Sequence, residues 1–269
     1  MHFCEIVEHK GLADRVFSLS VVCEGLARAA CAGQFVNIKC GSENLLRRPL
    51  GVCGVFGDLV RFVFEVKGEG TKWLSERKPG EVLDILGPLG NGFLMPKGNI
   101  LVIGGGIGCP PMLFAAQTAR GAINRVAKSA QSAQPTRTGL TAVLGFRNAE
   151  SVILREEFSE YCDSVFVCTD DGSCGEEGFA TELLAKLLAE NKYDAVLTCG
   201  PRVMLSAVAS VCAEFDTRCQ VLLEERMACG VGACVVCACA IQKDGEPLRM
   251  SRVCKDGPVF DAREVVFAE

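Results

Sequence analysis

Four cysteines near the C-terminal end are spaced so that their thiolates could hold a pair of irons. Cys229, Cys234, Cys237 and Cys254 follow the pattern C-x4-C-x2-C…C. Two irons bridged by two sulfides need four thiolates converging on one small rhomb, and this spacing is one that holds a [2Fe–2S] cluster. The long first spacer lets the backbone loop over such a cluster, and Gly230 and Gly232 allow the left-handed turns and close approach this requires. N–H groups of that loop could then point at the sulfur atoms and stabilise the reduced, more negative state. Two other readings stand beside this one. A structural zinc site usually pairs two short C-x2-C knuckles, and only Cys234 and Cys237 form one. Buried unligated thiols pack as small hydrophobes, and Cys239 lies close enough to Cys237 to complicate the ligand count.

Further residues have the chemistry of phosphate binding. Gly104, Gly105, Gly106 and Gly108 follow an apolar run and precede Pro110, where a helix opens. Glycines there let backbone approach a pyrophosphate, and the helix start supplies oriented N–H donors. The spacing departs from G-x-G-x-x-G, and a tight strand-to-helix turn needs glycine on steric grounds alone. Cys199, Gly200 and Pro201 end a second apolar run; open α/β sheets bind ligands beyond such strand ends, so this turn would lie beside the first. Arg47 and Arg48 precede Pro49, Leu50 and Gly51, and a guanidinium can grip a pyrophosphate with two donors. Phe64, Glu65 and Val66 run into a glycine turn whose Gly70 and Thr71 could donate backbone and hydroxyl hydrogen bonds to a second phosphate. Asp170 and Asp171 follow another strand end, where a carboxylate can bind ribose hydroxyls and repel a 2′-phosphate; Asp-Asp-Gly-Ser is also simply a turn sequence, and Arg147 could favour a phosphate instead.

The elements that must position these groups fall into three regions, taken as 1–97, 98–218 and 219–269. Residues 3–9, 15–22, 34–39, 50–56, 59–67 and 81–86 are short β-rich runs, with Gly57-Asp58 as a hairpin turn, and six such strands fit a small closed barrel. Beyond residue 98 the period changes. Apolar strands at 99–103, 140–146, 164–169, 194–199 and 219–223 alternate with helical stretches at 110–120, 149–161, 179–191 and 201–215, which predicts a parallel sheet covered on both faces. The polar stretch 124–138 reads as a helix end and a mobile surface loop. From about Glu224 the chain is a cysteine loop, a short hairpin at Lys243-Asp244-Gly245-Glu246 and a tail, too short to hold an apolar core unaided. The fold class is therefore multidomain, β followed by α/β, with a small metal-dependent end.

Bulk properties narrow the function classes. The chain has 269 residues, 49% hydrophobic and 23% charged, with a net charge of −5. No Lys/Arg run interleaves with aromatics, which gives nucleic-acid binding no electrostatic support. No apolar stretch reaches membrane-spanning length, and the first residues lack the basic and apolar regions of an export signal. Seventeen cysteines with no export signal predict reduced thiols in a cytoplasm.

Taken in order, Arg48-Pro49-Leu50-Gly51, Gly68-Glu69-Gly70-Thr71, Gly104–Gly108 and Cys199-Gly200-Pro201 resemble the ferredoxin–NADP reductase superfamily. The segment Glu224-Glu225-Arg226-Met227-Ala228-Cys229-Gly230-Val231-Gly232-Ala233-Cys234 narrows the resemblance to the electron-transfer subunits of NAD-dependent dihydroorotate dehydrogenase B. The resemblance spans essentially the whole chain. It implies an antiparallel six-stranded FAD-binding barrel, a Rossmann-like NAD-binding domain and a C-terminal [2Fe–2S] domain. Arg48, Pro49, Leu50, Gly51, Phe64, Glu65, Val66, Gly70 and Thr71 would line FAD. Gly104, Gly105, Gly106, Gly108, Cys199, Gly200 and Pro201 would face the nicotinamide nucleotide, and Cys229, Cys234, Cys237 and Cys254 would hold the cluster. Where the family usually has Ser this chain has Gly51, so flavin tuning here would rely on backbone N–H.

The resemblance further implies an FMN-containing dihydroorotate dehydrogenase catalytic subunit as partner in a heterotetramer, with electrons passing through the cluster and FAD to NAD in pyrimidine biosynthesis. NAD chemistry of this kind needs stacking of nicotinamide on flavin rather than an acid or base, so His2 and His9 are expected to be surface residues and no residue is assigned a catalytic role. Two alternatives remain: the same cofactors serving another acceptor, as in sulfide dehydrogenase, transhydrogenase or sulfite reductase subunits, and a non-catalytic redox sensor.

Overall fold

Inward apolar and outward polar side chains alternate through the first region, and that period of two closes it into a barrel. The computed structural model describes residues 1–129 and 138–267. In it, β1 (His2–Ala13), β2 (Val16–Val22), β3 (Phe35–Ile38), β4 (Arg48–Phe56), β5 (Leu59–Glu65) and β6 (Val82–Leu89) close in the order β1-β2-β5-β4-β3-β6. All neighbouring pairs are antiparallel. Ile6, Leu19, Val36, Ile38, Val60, Phe62, Leu83 and Ile85 fill the interior. The expected hairpin joins β4 to β5, with Phe56 opposite Leu59 and Gly57 at φ 62°. Two helices that the sequence pattern did not show, α1 (Glu24–Ala29) and α2 (Glu69–Ser75), each bury one leucine, Leu26 and Leu74. Both are too short for a 3.6-residue period to register.

The second region alternates strand and helix: β7 (Ile100–Gly105), α3 (Cys109–Ser129), β8 (Leu140–Phe146), α4 (Arg155–Tyr161), β9 (Ser164–Thr169), β10 (Glu176–Glu177), α5 (Ala180–Glu190), β11 (Ala195–Cys199), α6 (Arg202–Glu214) and β12 (Cys219–Leu222). The last stretch adds the hairpin β13 (Ala238–Ile241) and β14 (Arg249–Arg252), then β15 (Val259–Asp261). The large sheet runs β10-β9-β8-β7-β11-β12-β15, parallel throughout except for the β12–β15 pair. Ile100, Val102 and Leu144 pack with Met112 and Phe158 of α3 and α4, while Leu101, Ile103 and Val143 pack with Leu184 and Leu205 of α5 and α6. Both faces are covered, which is why these strands read as unbroken apolar runs.

Two expectations change. The helix expected over 149–161 is a 3₁₀ turn, Ala149–Ser151, followed by α4, because Leu154 at φ 63° breaks the helical path between them. The helix expected over 110–120 runs on to Ser129, taking in the first part of the 124–138 stretch read as a helix end and mobile loop; residues 130–137 lie outside the described residues. The strand expected over 219–223 is β12, parallel to β11, with Cys219 and Val221 buried. Among the described residues no helix is long and apolar enough to cross a membrane.

The regions are tied directly to one another. Gln117 of α3 accepts from Val55 N (3.3 Å) and donates to Val55 O (3.0 Å) on β4. Arg61 of β5 grips the Glu157 carboxylate of α4 with both terminal nitrogens. After β6, Leu94 N and O pair with the Gln220 side chain of β12 at 2.9 and 2.7 Å, and Asn91 donates from Nδ2 to Lys255 O (3.2 Å) and Asp256 O (3.1 Å).

Candidate functional site

The cysteine loop is built by left-handed backbone. Gly230 (φ 70°), Gly232 (φ 84°) and Val235 (φ 61°) turn the chain so that its N–H groups converge on sulfur. Cys229 Sγ accepts from Val231 N (3.4 Å), Ala233 N (3.3 Å) and Cys234 N (3.4 Å). Cys234 Sγ accepts from Cys229 N at 3.5 Å and Cys237 Sγ from Cys254 N at 3.4 Å. Those donors, with Val231 N–H first, lower the Cys229 thiol to about 6, so it is largely thiolate at neutral pH. The sulfurs fall into two pairs, Cys229 with Cys234 and Cys237 with Cys254. Among the described residues no three His, Cys, Asp or Glu side chains gather about one point as a single ion requires. Cys239 is in neither pair: it lies on β13, buried with Ile241 in the apolar core, and burial pushes its thiol up to about 11.

Glycines bring the nucleotide turns together. Gly104 at the end of β7 pairs with Cys199 at the end of β11, so both turns leave the sheet where the strand order reverses. A Cβ on Gly108 would run into the backbone of Cys199 and Gly200, and one on Gly105 would lie 2.5 Å from Met204 Sδ and 3.0 Å from Pro201 Cδ. Only glycine permits that approach. Gly106, at φ 52°, has nothing within 4 Å of its Cβ position and faces open space. Asp170 is exposed one strand beyond β8, its N–H donated to Phe146 O at 3.0 Å. Asp171 instead closes its own turn, accepting from Ser173 N (3.0 Å) and Oγ (2.5 Å), which holds its carboxyl below the usual range.

On the barrel side the site divides into free and occupied groups. Arg47 is occupied: it pairs with Asp84 at 2.8 Å and fastens β4 to β6. Arg48 reaches across α2, so that a Cβ on Gly70 would collide with its guanidinium. Pro49 and Leu50 follow it on β4, and a Cβ on Gly51 would lie 3.1 Å from Pro111 Cγ at the start of α3. That neighbour leaves little room for a serine side chain at this position. Phe64 turns its ring inward onto Phe17 (centroids 6.1 Å apart), so any contact it makes with a cofactor is through its backbone. Glu65 pairs with Lys67 (3.2 Å), and Val66 O accepts from Arg15 Nε (3.1 Å). The Thr71 hydroxyl donates to Gly68 O (3.0 Å) and accepts from Lys67 N (2.9 Å), capping α2; its proton is not free for a phosphate. Neither histidine is a free surface group, since His2 Nε2 lies 3.1 Å from Gly87 O and His9 stacks on Phe17.

Two residues of the site escaped the sequence reading. Glu224 follows β12; solvent reaches it, yet protein surrounds it, and that enclosure raises its carboxyl pKa while Lys67 pulls the other way. Its signal was its place after a strand end. Asn37 of β3 is 1% exposed, and neither atom of its amide has a partner. A lone asparagine between Val36 and Ile38 gives no signal by itself.

A closed antiparallel barrel, a parallel sheet whose reversal point carries two glycine turns, and a loop of paired cysteines define a flavin-dependent pyridine-nucleotide reductase with an appended iron–sulfur segment. Residues 224–266 match the model of the iron-sulfur cluster binding domain of dihydroorotate dehydrogenase B. The electron transfer subunit of dihydroorotate dehydrogenase B (NAD(+)) from Caldanaerobacter subterraneus subsp. tengcongensis is 36% identical over 263 residues, covering 97% of each chain. Its counterpart from Clostridium perfringens is 37% identical over 265 residues, covering 98% of this chain and 97% of that one. A solved structure of the NADH-dependent reduced ferredoxin-NADP oxidoreductase is similar with a TM-score of 0.84 at 30% identity, covering 99% of this chain and 91% of that chain. This chain belongs to the family of electron transfer subunits of dihydroorotate dehydrogenase B.

Proposed function

We propose that this chain passes electrons from a dihydroorotate-oxidising, FMN-containing partner subunit to NAD+, through a [2Fe–2S] cluster and FAD of its own. The observation that carries this reading is an adjacency: Gly230 of the cysteine loop abuts Asn37, whose cross-strand neighbour is Pro49 of the Arg48–Gly51 run. The cluster site and the flavin segment thus share one wall, as electron exchange between them requires.

When bound, the flavin supplies hydride exchange with nicotinamide on one side and single-electron exchange with the cluster on the other. The residues of this chain bind and orient. Cys229, Cys234, Cys237 and Cys254 hold the irons, and the loop N–H groups stabilise negative charge on sulfur. Arg48, Pro49, Leu50, Gly51, the backbone of Phe64, Glu65 and Val66, and the α2 start at Gly70 and Thr71 hold FAD. Gly104, Gly105, Gly106 and Gly108, with Cys199, Gly200 and Pro201, hold the nucleotide, and Asp170 favours NAD over NADP by repelling a 2′-phosphate. No side chain is required to move a proton. The regions divide as 1–97 for FAD, 98 to the end of β12 for NAD, and from Glu224 for the cluster. Assembly is as a heterotetramer around a partner dimer, in a cytoplasm that keeps the cysteines reduced.

Anaerobic purification with its partner, followed by an assay for dihydroorotate-dependent reduction of NAD+, tests the reading. NADH formation supports it, and faster turnover with NADPH than with NADH would remove the role of Asp170. The likeness to the NADH-dependent reduced ferredoxin-NADP oxidoreductase favours one other reading, the same cofactors serving a different acceptor. FAD and cluster present with no NADH formed from dihydroorotate would select it.

A further inference from the structure

Asn37 is the one side chain among the described residues with two buried polar atoms and a partner for neither. A carboxamide has two donors and an acceptor oxygen, and a buried polar group left unpaired in a native fold points to a missing ligand. Its surroundings identify the ligand. β3 lies between β4 and β6 in the barrel wall, and Val36 and Ile38 on either side of Asn37 face the barrel core. Asn37 therefore faces outward, on the same face as its β4 partner Pro49. Pro49 has no N–H to offer. Arg47 Nη1 donates to the Asn37 backbone carbonyl (3.4 Å), not to its side chain. Against the outward face lies the cysteine loop: a Cβ on Gly230 would collide with Asn37 Nδ2, with Asn37 Cγ at 3.1 Å and Leu89 Cδ1 at 3.6 Å. The nitrogen end of the amide thus addresses the loop at the residue after Cys229.

We infer that Asn37 is a positioning residue for the cluster, its amide N–H donating toward the sulfur side of the site and holding the cluster's potential above the value the cysteine loop alone would give. A donor directed at cluster sulfur favours the reduced, more negative state. The inference rests on Cys229, Cys234, Cys237 and Cys254 holding a [2Fe–2S] cluster. Iron content and the electron paramagnetic resonance signal of the unaltered protein test that premise apart from Asn37.

The experiment is a redox titration of the anaerobically purified full-length protein, following the cluster by electron paramagnetic resonance and the flavin by visible absorbance. Asn37→Leu removes the donor; Asn37→Asp keeps the shape and replaces the donor with an acceptor. The expected result is a cluster midpoint more negative in N37L than in the unaltered protein, and more negative still in N37D, with the flavin midpoint unchanged. Cluster midpoints equal to that of the unaltered protein, or a shift in the flavin alone, would overturn the inference. If N37D does not retain iron, N37L alone decides; if N37L does not, N37A decides by the same criterion.

Discussion

A side chain at position 230 meets two obstacles at once, a left-handed φ of 70° and the Asn37 amide beneath it. Gly230→Ala is expected to cost roughly 1–3 kcal/mol from the backbone alone, and the measurable result is a chain that purifies with FAD but with much reduced iron. The cysteines divide by the same test. Cys229→Ser and Cys237→Ala should abolish the cluster's visible absorbance, whereas Cys239→Ala, in the β13 core, should leave iron per chain unchanged. At Gly51 the constraint is Pro111 at 3.1 Å: Gly51→Ser overpacks the seam between β4 and α3 and should lower stability by about 1 kcal/mol, read by chemical denaturation.

At the end of β12 the Glu224 carboxyl, though its side chain is exposed, is raised from its ordinary value by desolvation against the pull of Lys67. A folded-state value above the unfolded one means the folded chain keeps its proton to higher pH. The group therefore costs stability as pH rises through the ordinary glutamate range, fully so above the folded value. Glu224→Gln should raise the melting temperature at about pH 7 and leave it unchanged at about pH 4; an equal gain at both would assign the effect to packing. Elements of this kind were legible in the sequence to the degree that burial repeats along them. β8 and β9 are enclosed on both faces, and their apolar runs end where the strands end. α2 opens on Glu69-Gly70-Thr71 and reads as a turn, since a seven-residue helix is too short to display a period. The candidate cluster cysteines stand out in the sequence because they are packed into one loop plus Cys254. Asn37 could not, because its partner across the wall lies in a remote part of the chain, and only the folded barrel brings β3 beneath the cysteine loop.

At the scale of the whole molecule the three regions are cross-tied by side-chain hydrogen bonds. Asn91, just beyond β6, donates to the carbonyls of the two residues that follow Cys254. Asn91→Leu leaves both without that donor and should cost about 1–2 kcal/mol; the variant should lose iron faster than the unaltered protein in the presence of a chelator while its FAD occupancy holds. Equal rates of iron loss would mean the barrel does not brace the cluster segment. The return of the chain as β15 has another consequence. β15 covers the outer edge of β12, the last parallel strand. Leu223 N donates to Pro258 O and Ala262 N to Cys219 O, both at 2.9 Å, and Arg263 reaches Asp216 at 2.7 Å. Without that return β12 would present an unpaired row of backbone donors and acceptors backed by apolar side chains, a template for strand addition between molecules, so the last short strand is what keeps one molecule's sheet from continuing into the next.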